Sequence, residues 1–139
     1  MGFASDSATI RTRFETEWAG AVSPAVAYFH ADMKFTPPVN LAWVRLTVIP
    51  GQQTQVEMGM KRRYRRRGLV VVDIFVPAGS GDGLAKVLGD VVADIFMGRS
   101  VSGVVFQGTS LDRVGPDGPW IQYSSSTPFF ADSLIDNPA

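Results

Sequence analysis

One histidine, His30, and the absence of cysteine limit the chemistry open to this 139-residue chain. Ser–His and Cys–His catalysis needs an imidazole beside the nucleophile and a third group to orient it. His30 stands in an expected loop beside Pro37-Pro38, with no second histidine. Without cysteine there are no disulfides and no thiolate metal sites, which fits assembly in a reducing compartment. Asp90 and Asp94 lie i, i+4 on a predicted helix and could share a cation. Lys86 stands four residues before Asp90, so a solvated face with one helix pair accounts for them. Gly79-Ser80-Gly81-Asp82-Gly83 precedes that helix in the manner of a phosphate loop. It lacks the Lys-Ser/Thr of a P-loop and the dinucleotide spacing, and reads as a flexible connection. Ser124 to Ser126 has no elbow glycines. The chain therefore reads as a non-enzyme with no catalytic residues, no metal and no cofactor.

The chemistry that is present is ionic. Lys61, Arg62, Arg63, Tyr64, Arg65, Arg66 and Arg67 form one run in which six of seven residues are cations. The other seven cations face thirteen carboxylates, so a neutral chain is divided into a +6 run and a −6 remainder. Charge at this density repels itself unless an anion is near. The run falls between two strand-like segments, so the expectation is a basic loop or hairpin tip, residues 61–67, that meets DNA or an acidic protein surface. Arg and Lys contact phosphate without reading sequence, so the run carries no specificity.

Stepping outward from the run, the elements that must hold it are legible. The length fits one domain, residues 1–139, with enough chain for a real core. Composition is 45% apolar and 19% charged, below the usual quarter for charge. No apolar run approaches a membrane span. The N-terminus has no cationic stretch followed by an apolar one, so no signal peptide and no membrane contact are expected. Residues 1–5 read as flexible. Ile10, Phe14 and Trp18 at i, i+4, i+8 predict a helix from Asp6 to Ala19, capped by Asp6 or Ser7 and ended by Gly20. Val26 to Phe29 is a short strand. Leu41 to Ile49 is a strong one, and Pro50-Gly51 signals a turn. Gln53 to Met60 alternates with period two, and Gly68 to Val76 is almost wholly apolar. Leu84, Val87, Leu88, Val91, Val92, Ile95 and Phe96 mark a second helix, Leu84 to Met97, with Gly98 at its C-terminal cap. Ser102-Gly103 leads to a strand from Val104. Gly115-Pro116-Asp117-Gly118 is a turn.

The three middle segments read as an antiparallel meander. Val44, Leu46 and Val48 share one face with Val70, Val72, Ile74 and Val76. The other face holds Trp43, Arg45, Thr47, Glu57, Leu69, Val71, Asp73 and Phe75, too apolar to be simply wet. Arg45 and Asp73 read as a cross-strand ion pair on it. The last strand, Trp120 to about Phe129, is polar on both faces through Gln122, Ser124, Ser125, Ser126 and Thr127. It reads as an edge, lumen-lining or intersubunit strand, followed by an acidic tail from residue 131. Trp43, Arg45, Asp73, Phe75, Gln122, Ser124 and Ser126 are the subunit-interface candidates. From these residues alone the chain is a soluble α+β domain that oligomerises and meets something anionic.

The order of the pieces resembles a known family. F-E-T-E-W (Phe14 to Trp18) ends the first helix, and F-T-P-P (Phe35 to Pro38) precedes W-V-R-L-T-V-I-P-G (Trp43 to Gly51). A basic run leads into G-L-V-V-V-D-I-F-V-P-A-G-S-G (Gly68 to Gly81). G-P-D-G-P-W-I-Q (Gly115 to Gln122) is followed by T-P-F-F-A-D (Thr127 to Asp132). This arrangement is similar to the tail terminator-like proteins of long-tailed bacteriophages and gene-transfer particles, over nearly the whole chain. The resemblance implies an α+β fold: a mixed, mainly antiparallel curved sheet with two main helices packed on one face. It implies a homo-oligomeric ring, a hexamer, on the head-proximal end of the tail tube in the virion, assembled in the bacterial host cytoplasm. Its partners would be the tail tube protein, a head-completion or connector protein, and DNA passing transiently through the lumen. The competing reading is a small nucleic-acid-binding module acting through the basic loop 61–67. Overall neutrality and the absence of a recognised reading motif stand against it.

Overall fold

The computed structural model describes residues 2–21, 27–30, 36, 41–56, 58, 61–79 and 81–136, with side chains left undescribed at 21, 27–30, 61 and 134–136. Helix α1 runs Phe3–Ala21. The Ile10–Phe14–Trp18 stripe is buried along it. The helix starts earlier than expected, taking in residues 3–5 and both Asp6 and Ser7, so neither of these caps it. It also passes through Gly20, which ends nothing. A helix longer than its local signals is held by packing rather than by propensity.

Strand β1 (Ala27–His30) lies parallel to β2 (Trp43–Gln55). Pro50-Gly51 is not a turn. The strand continues through a bulge between Pro50 and Gln53, where proline does no harm to the ladder. A Cβ on Gly51 would sit 2.6 Å from the Arg67 carbonyl oxygen, so the close approach there needs glycine. The expected three-strand meander is accordingly one long hairpin of β2 with β3 (Lys61–Pro77). Glu57 lies outside the described residues.

Strand β7 (Trp120–Asp136) pairs with β3 over its whole length, from Lys61↔Asp136 to Pro77↔Trp120. It is a central strand, not an edge, and the expected acidic tail is its last third. Part of its polarity is absorbed by pairing: Thr127 is buried and shares a hydrogen bond with Thr109 at 2.7 Å, while the buried Ser125 hydroxyl has no partner among the described residues. Beyond it lie β5 (Val104–Phe106) with β4 (Ser100–Val101) at one end and β6 (Ser110–Asp117) at the other. Ser102 and Gly103, both at positive φ, make the two-residue β4–β5 turn. The seven strands among the described residues form one mixed, mainly antiparallel sheet. A second bulge, between Arg113 and Gly115, adds to its curvature.

Helix α2 (Gly83–Phe96) and α1 pack on the same sheet face. Val44, Leu46, Val70, Val72, Ile74 and Val76 supply the floor, as their alternation predicts. A row of rings joins the layers: Trp18, Phe14, Phe96, Phe106 and Phe129, with centroids 5.0–6.4 Å apart. Phe96, Val72 and Ile74 are buried together and Val91 packs partly against them. Leu84 and Val87, on one flank of the same helical stripe, remain exposed.

Candidate functional site

The basic run is not a loop. It forms the first seven residues of β3, between Gln53–Gln55 of β2 on one side and Phe130–Asp136 of β7 on the other. A strand sends successive side chains to opposite faces. The run is therefore divided: Arg62 and Arg66 lie on the helix-covered face, Arg63, Arg65 and Arg67 on the open one. Lys61 belongs to the strand by its backbone, and its side chain lies outside the description.

Arg66 is 2% exposed. Its Nε donates to Asp6 Oδ2 at 2.7 Å and a terminal nitrogen donates to Asp6 Oδ1 at 3.1 Å. Its other terminal nitrogen donates to the Ser133 hydroxyl. The Asp6 hydrogen bonds hold the guanidinium pKa above its ordinary value, against the pull of burial. Arg66 is thus a tie between α1, β3 and β7, and within this fold it offers no charge to a partner. On the open face Arg65 makes a bidentate pair with Asp132, at 2.8 and 3.1 Å, and lies over the Phe130 ring at 4.3 Å. Arg63 stands 3.9 Å from the same carboxylate. The Arg65 hydrogen bond keeps Asp132 below the usual carboxylate range, with burial acting the other way. Arg67 is exposed and forms no ion pair with a described residue. The displayed charge is therefore smaller and more directional than six cations in a loop.

The interface candidates do come together. Register places Trp43 opposite Phe75 and Arg45 opposite Asp73; Gln122, Ser124 and Ser126 follow on β7 opposite Phe75, Asp73 and Val71. All lie on the sheet face away from the helices. Arg45 donates to Asp73 Oδ2 through Nε at 3.1 Å and a terminal nitrogen at 2.7 Å, the expected cross-strand pair. Trp43 stacks on Phe75 at 4.0 Å, Trp120 meets Trp43 edge-on at 5.7 Å, and Arg45 lies 5.4 Å from the Phe75 ring centre. Trp43, Phe75 and Asp73 are themselves buried, so the part of this face that can receive another protein is the partly exposed set Arg45, Trp120, Gln122, Ser124 and Ser126.

Two residues of this site escaped the sequence reading. Asp6 and Asp132 pair with three of the six cations, Arg66 and then Arg65 with Arg63, and only strand register and helix docking bring them there. The expected Lys86–Asp90 pair is also absent: Lys86 turns back to Asp82, at 2.7 Å. His30 lies on β1 rather than in a loop, and its side chain is outside the description. Among the described residues no group of three or more His, Cys, Asp or Glu could hold a metal ion. Among them, too, no helix is long and apolar enough to cross a membrane.

The profile of a family described as phage tail terminator protein matches residues 7–123. One solved structure superposes on 99% of this chain and 100% of its own, with a TM-score of 0.66 and 22% sequence identity. At that identity the likeness is one of fold. No curated protein matches.

Proposed function

Since the chain belongs to the phage tail terminator family, a structural part of the virion tail, we propose that six copies close into a ring on the head-proximal end of the tail tube. The ring stops tube polymerisation, joins the tail to the head-completion or connector protein, and passes DNA through its lumen during ejection.

The observation that carries this reading is the open sheet face. It gathers Trp43, Phe75, Trp120 and the Arg45–Asp73 pair on the side away from the helices. Trp43, Phe75 and Asp73 are already buried within the chain, so a neighbouring copy or tube subunit would meet the partly exposed Arg45, Trp120, Gln122, Ser124 and Ser126 around them. The divided basic strand supports a protein-facing role for Arg63 and Arg67. DNA held by a dense ring of cations would be gripped in proportion to the phosphates neutralised, which opposes ejection. The DNA-binding module loses support from the same geometry, because Arg66 is buried and Arg65 is taken by Asp132.

Deletion of the protein tests the reading. Electron microscopy should show tails of uncontrolled length or tails unattached to heads; normal-length tails on filled heads would sink it. Native mass spectrometry of rings released from particles should give a sixfold mass.

A further inference from the structure

Helix α2 lacks, within its first and last turns, the charges that its dipole favours. A helix N-terminus favours an acidic residue or a side-chain cap, and its last turn favours a base. The first turn of α2 has no acid, and the N-cap residue Asp82 makes no side-chain cap because its carboxylate is engaged by Lys86. The last turn has no base and contains Asp94, one turn after Asp90. Both acids are exposed and neither forms an ion pair with a described residue. Arg99, just beyond, gives its Nε to the Asp94 backbone carbonyl at 2.7 Å. Like charges at i, i+4 repel, so two acids here weaken the helix unless a cation joins them.

At the other end of α2 the donors are left over. A cleft of about 550 Å³ opens beside the helix N-terminus, walled by Pro77 and Ile121 and lined by Arg113 and Tyr123. Tyr123 is only 7% exposed, and its hydroxyl makes no hydrogen bond to the described residues. Arg113 pairs with Tyr123 across β6 and β7, is exposed, and has no ion-pair partner among those residues. A phenol, a guanidinium and uncapped helix N–H groups all donate, and the one nearby acceptor, Asp82, is already taken.

We infer that the acceptor is the Asp90–Asp94 pair of the next copy, so that α2 forms a head-to-tail seam. This rests on the ring reading and deepens it. A ring needs two different, mutually complementary patches on each copy, and α2 carries one at each end. Exposed apolar residues lie beside the acids: Val87 one turn before Asp90 on the same helix face, and Met97 beyond Asp94. A phosphate chain fits the cleft poorly, since Asp82 stands in its wall and Arg113 is its one unengaged cation.

Charge reversal tests the seam. Arg113→Glu alone, and Asp90→Arg with Asp94→Arg, should each lower the association constant at least about tenfold by sedimentation velocity. Combining all three should restore assembly, with unfolding midpoints close to wild type throughout because every site is exposed. The chain has no cysteine, so Arg113→Cys with Asp94→Cys should give a covalent ladder on oxidation that neither single variant gives. A wild type that assembles while the reversals have no effect, or a combination that fails to restore assembly, overturns the seam and leaves the ring reading standing. Reversals that spare assembly but detach tails from heads place another protein in the cleft and likewise overturn it. A single-copy mass from particles overturns the ring, and the seam with it.

Discussion

The two halves of β3 have the same backbone and opposite chemistry. From Leu69 to Pro77 the strand is apolar, and the residues on its helix side, Val70, Val72, Ile74 and Val76, are buried under α1 and α2. From Lys61 to Arg67 it is cationic, yet it keeps the same two neighbours, in unbroken register with β7 and shifted by one residue against β2 at the Pro50–Gln53 bulge. In the apolar half, period two separates core from open face. In the cationic half it separates a buried charge, Arg66, from displayed ones. The helix-covered face thus extends under the basic run, and wherever that face reaches, a side chain must be apolar or fully paired. Asp6 supplies that pairing.

The apolar half should show the largest effect. Phe96 touches the rings of both Phe14 and Phe106, and Phe96→Ala should cost about 3–5 kcal/mol. A loss under about 1 kcal/mol by urea unfolding would mean that α2 is not packed as described. The cationic half should come close to it. Arg66→Gln leaves the Asp6 carboxylate buried and unpaired, at about 3 kcal/mol. Asp6→Leu combined with Arg66→Met should recover most of that loss. If the double change is as damaging as the single one, the ion pair is needed for more than neutralisation.

How much of this was legible in the sequence follows from the same contrast. The shared face of Val44, Leu46, Val70, Val72 and Ile74, both helices, and the Arg45–Asp73 pair were read from periodicity, because alternation and helical spacing are local signals. Strand continuity was not. Pro50-Gly51 looks identical as a turn and as a bulge, and only the partner strand decides between them. A polar β7 reads as an edge, lumen-lining or intersubunit strand because serines and threonines inside a sheet look the same in sequence as those facing water. The basic run looks like a loop because its self-repulsion is a local signal, whereas Asp6 and Asp132, which relieve it, lie about sixty residues away on either side. Alternation alone puts Trp43, Arg45, Asp73 and Phe75 on one face, whereas Gln122, Ser124 and Ser126 join them only through the register of β7 with β3.

Gly68 sits where the two halves meet. A Cβ there would lie 2.5 Å from the Phe129 ring and 2.7 Å from the Ile49 carbonyl oxygen. The second of these is backbone and cannot swing away, so Gly68→Ala should cost about 1–3 kcal/mol. Thermal unfolding within a few tenths of wild type would show that the halves can slide apart at this point.

The Asp132 cluster on the open face should matter less, and its sign is fixed. The folded carboxyl titrates below its ordinary value near 3.8, held down by the Arg65 hydrogen bond. Its contribution is therefore fully present at neutral pH and is lost as pH falls through that lowered value. The side chains are 25–45% exposed, so screening limits the contribution to about 0.5–1 kcal/mol. Asp132→Asn should lower the urea midpoint at pH 7 and flatten its decline below about pH 4. An unchanged acid slope would place the acid sensitivity in another carboxylate.

The smallest change in stability should come from the most exposed cations of the run. Arg67 is exposed and pairs with nothing described, and Arg63 shares its carboxylate with the better-placed Arg65. Arg63→Gln with Arg67→Gln should move the unfolding free energy by no more than about 0.5 kcal/mol. If these charges face an acidic protein surface, the double variant should attach less firmly to isolated tail tubes at low salt. The difference should shrink at 0.5 M salt, where the Debye length falls to about 4 Å. The same variant should leave DNA binding unchanged, because the wild-type ring should bind DNA weakly at physiological salt. Tight wild-type binding in a gel shift, abolished by these two substitutions, would turn the open end of β3 toward DNA. The contrast within the strand would then be between a half that builds the fold and a half that guides the genome through it.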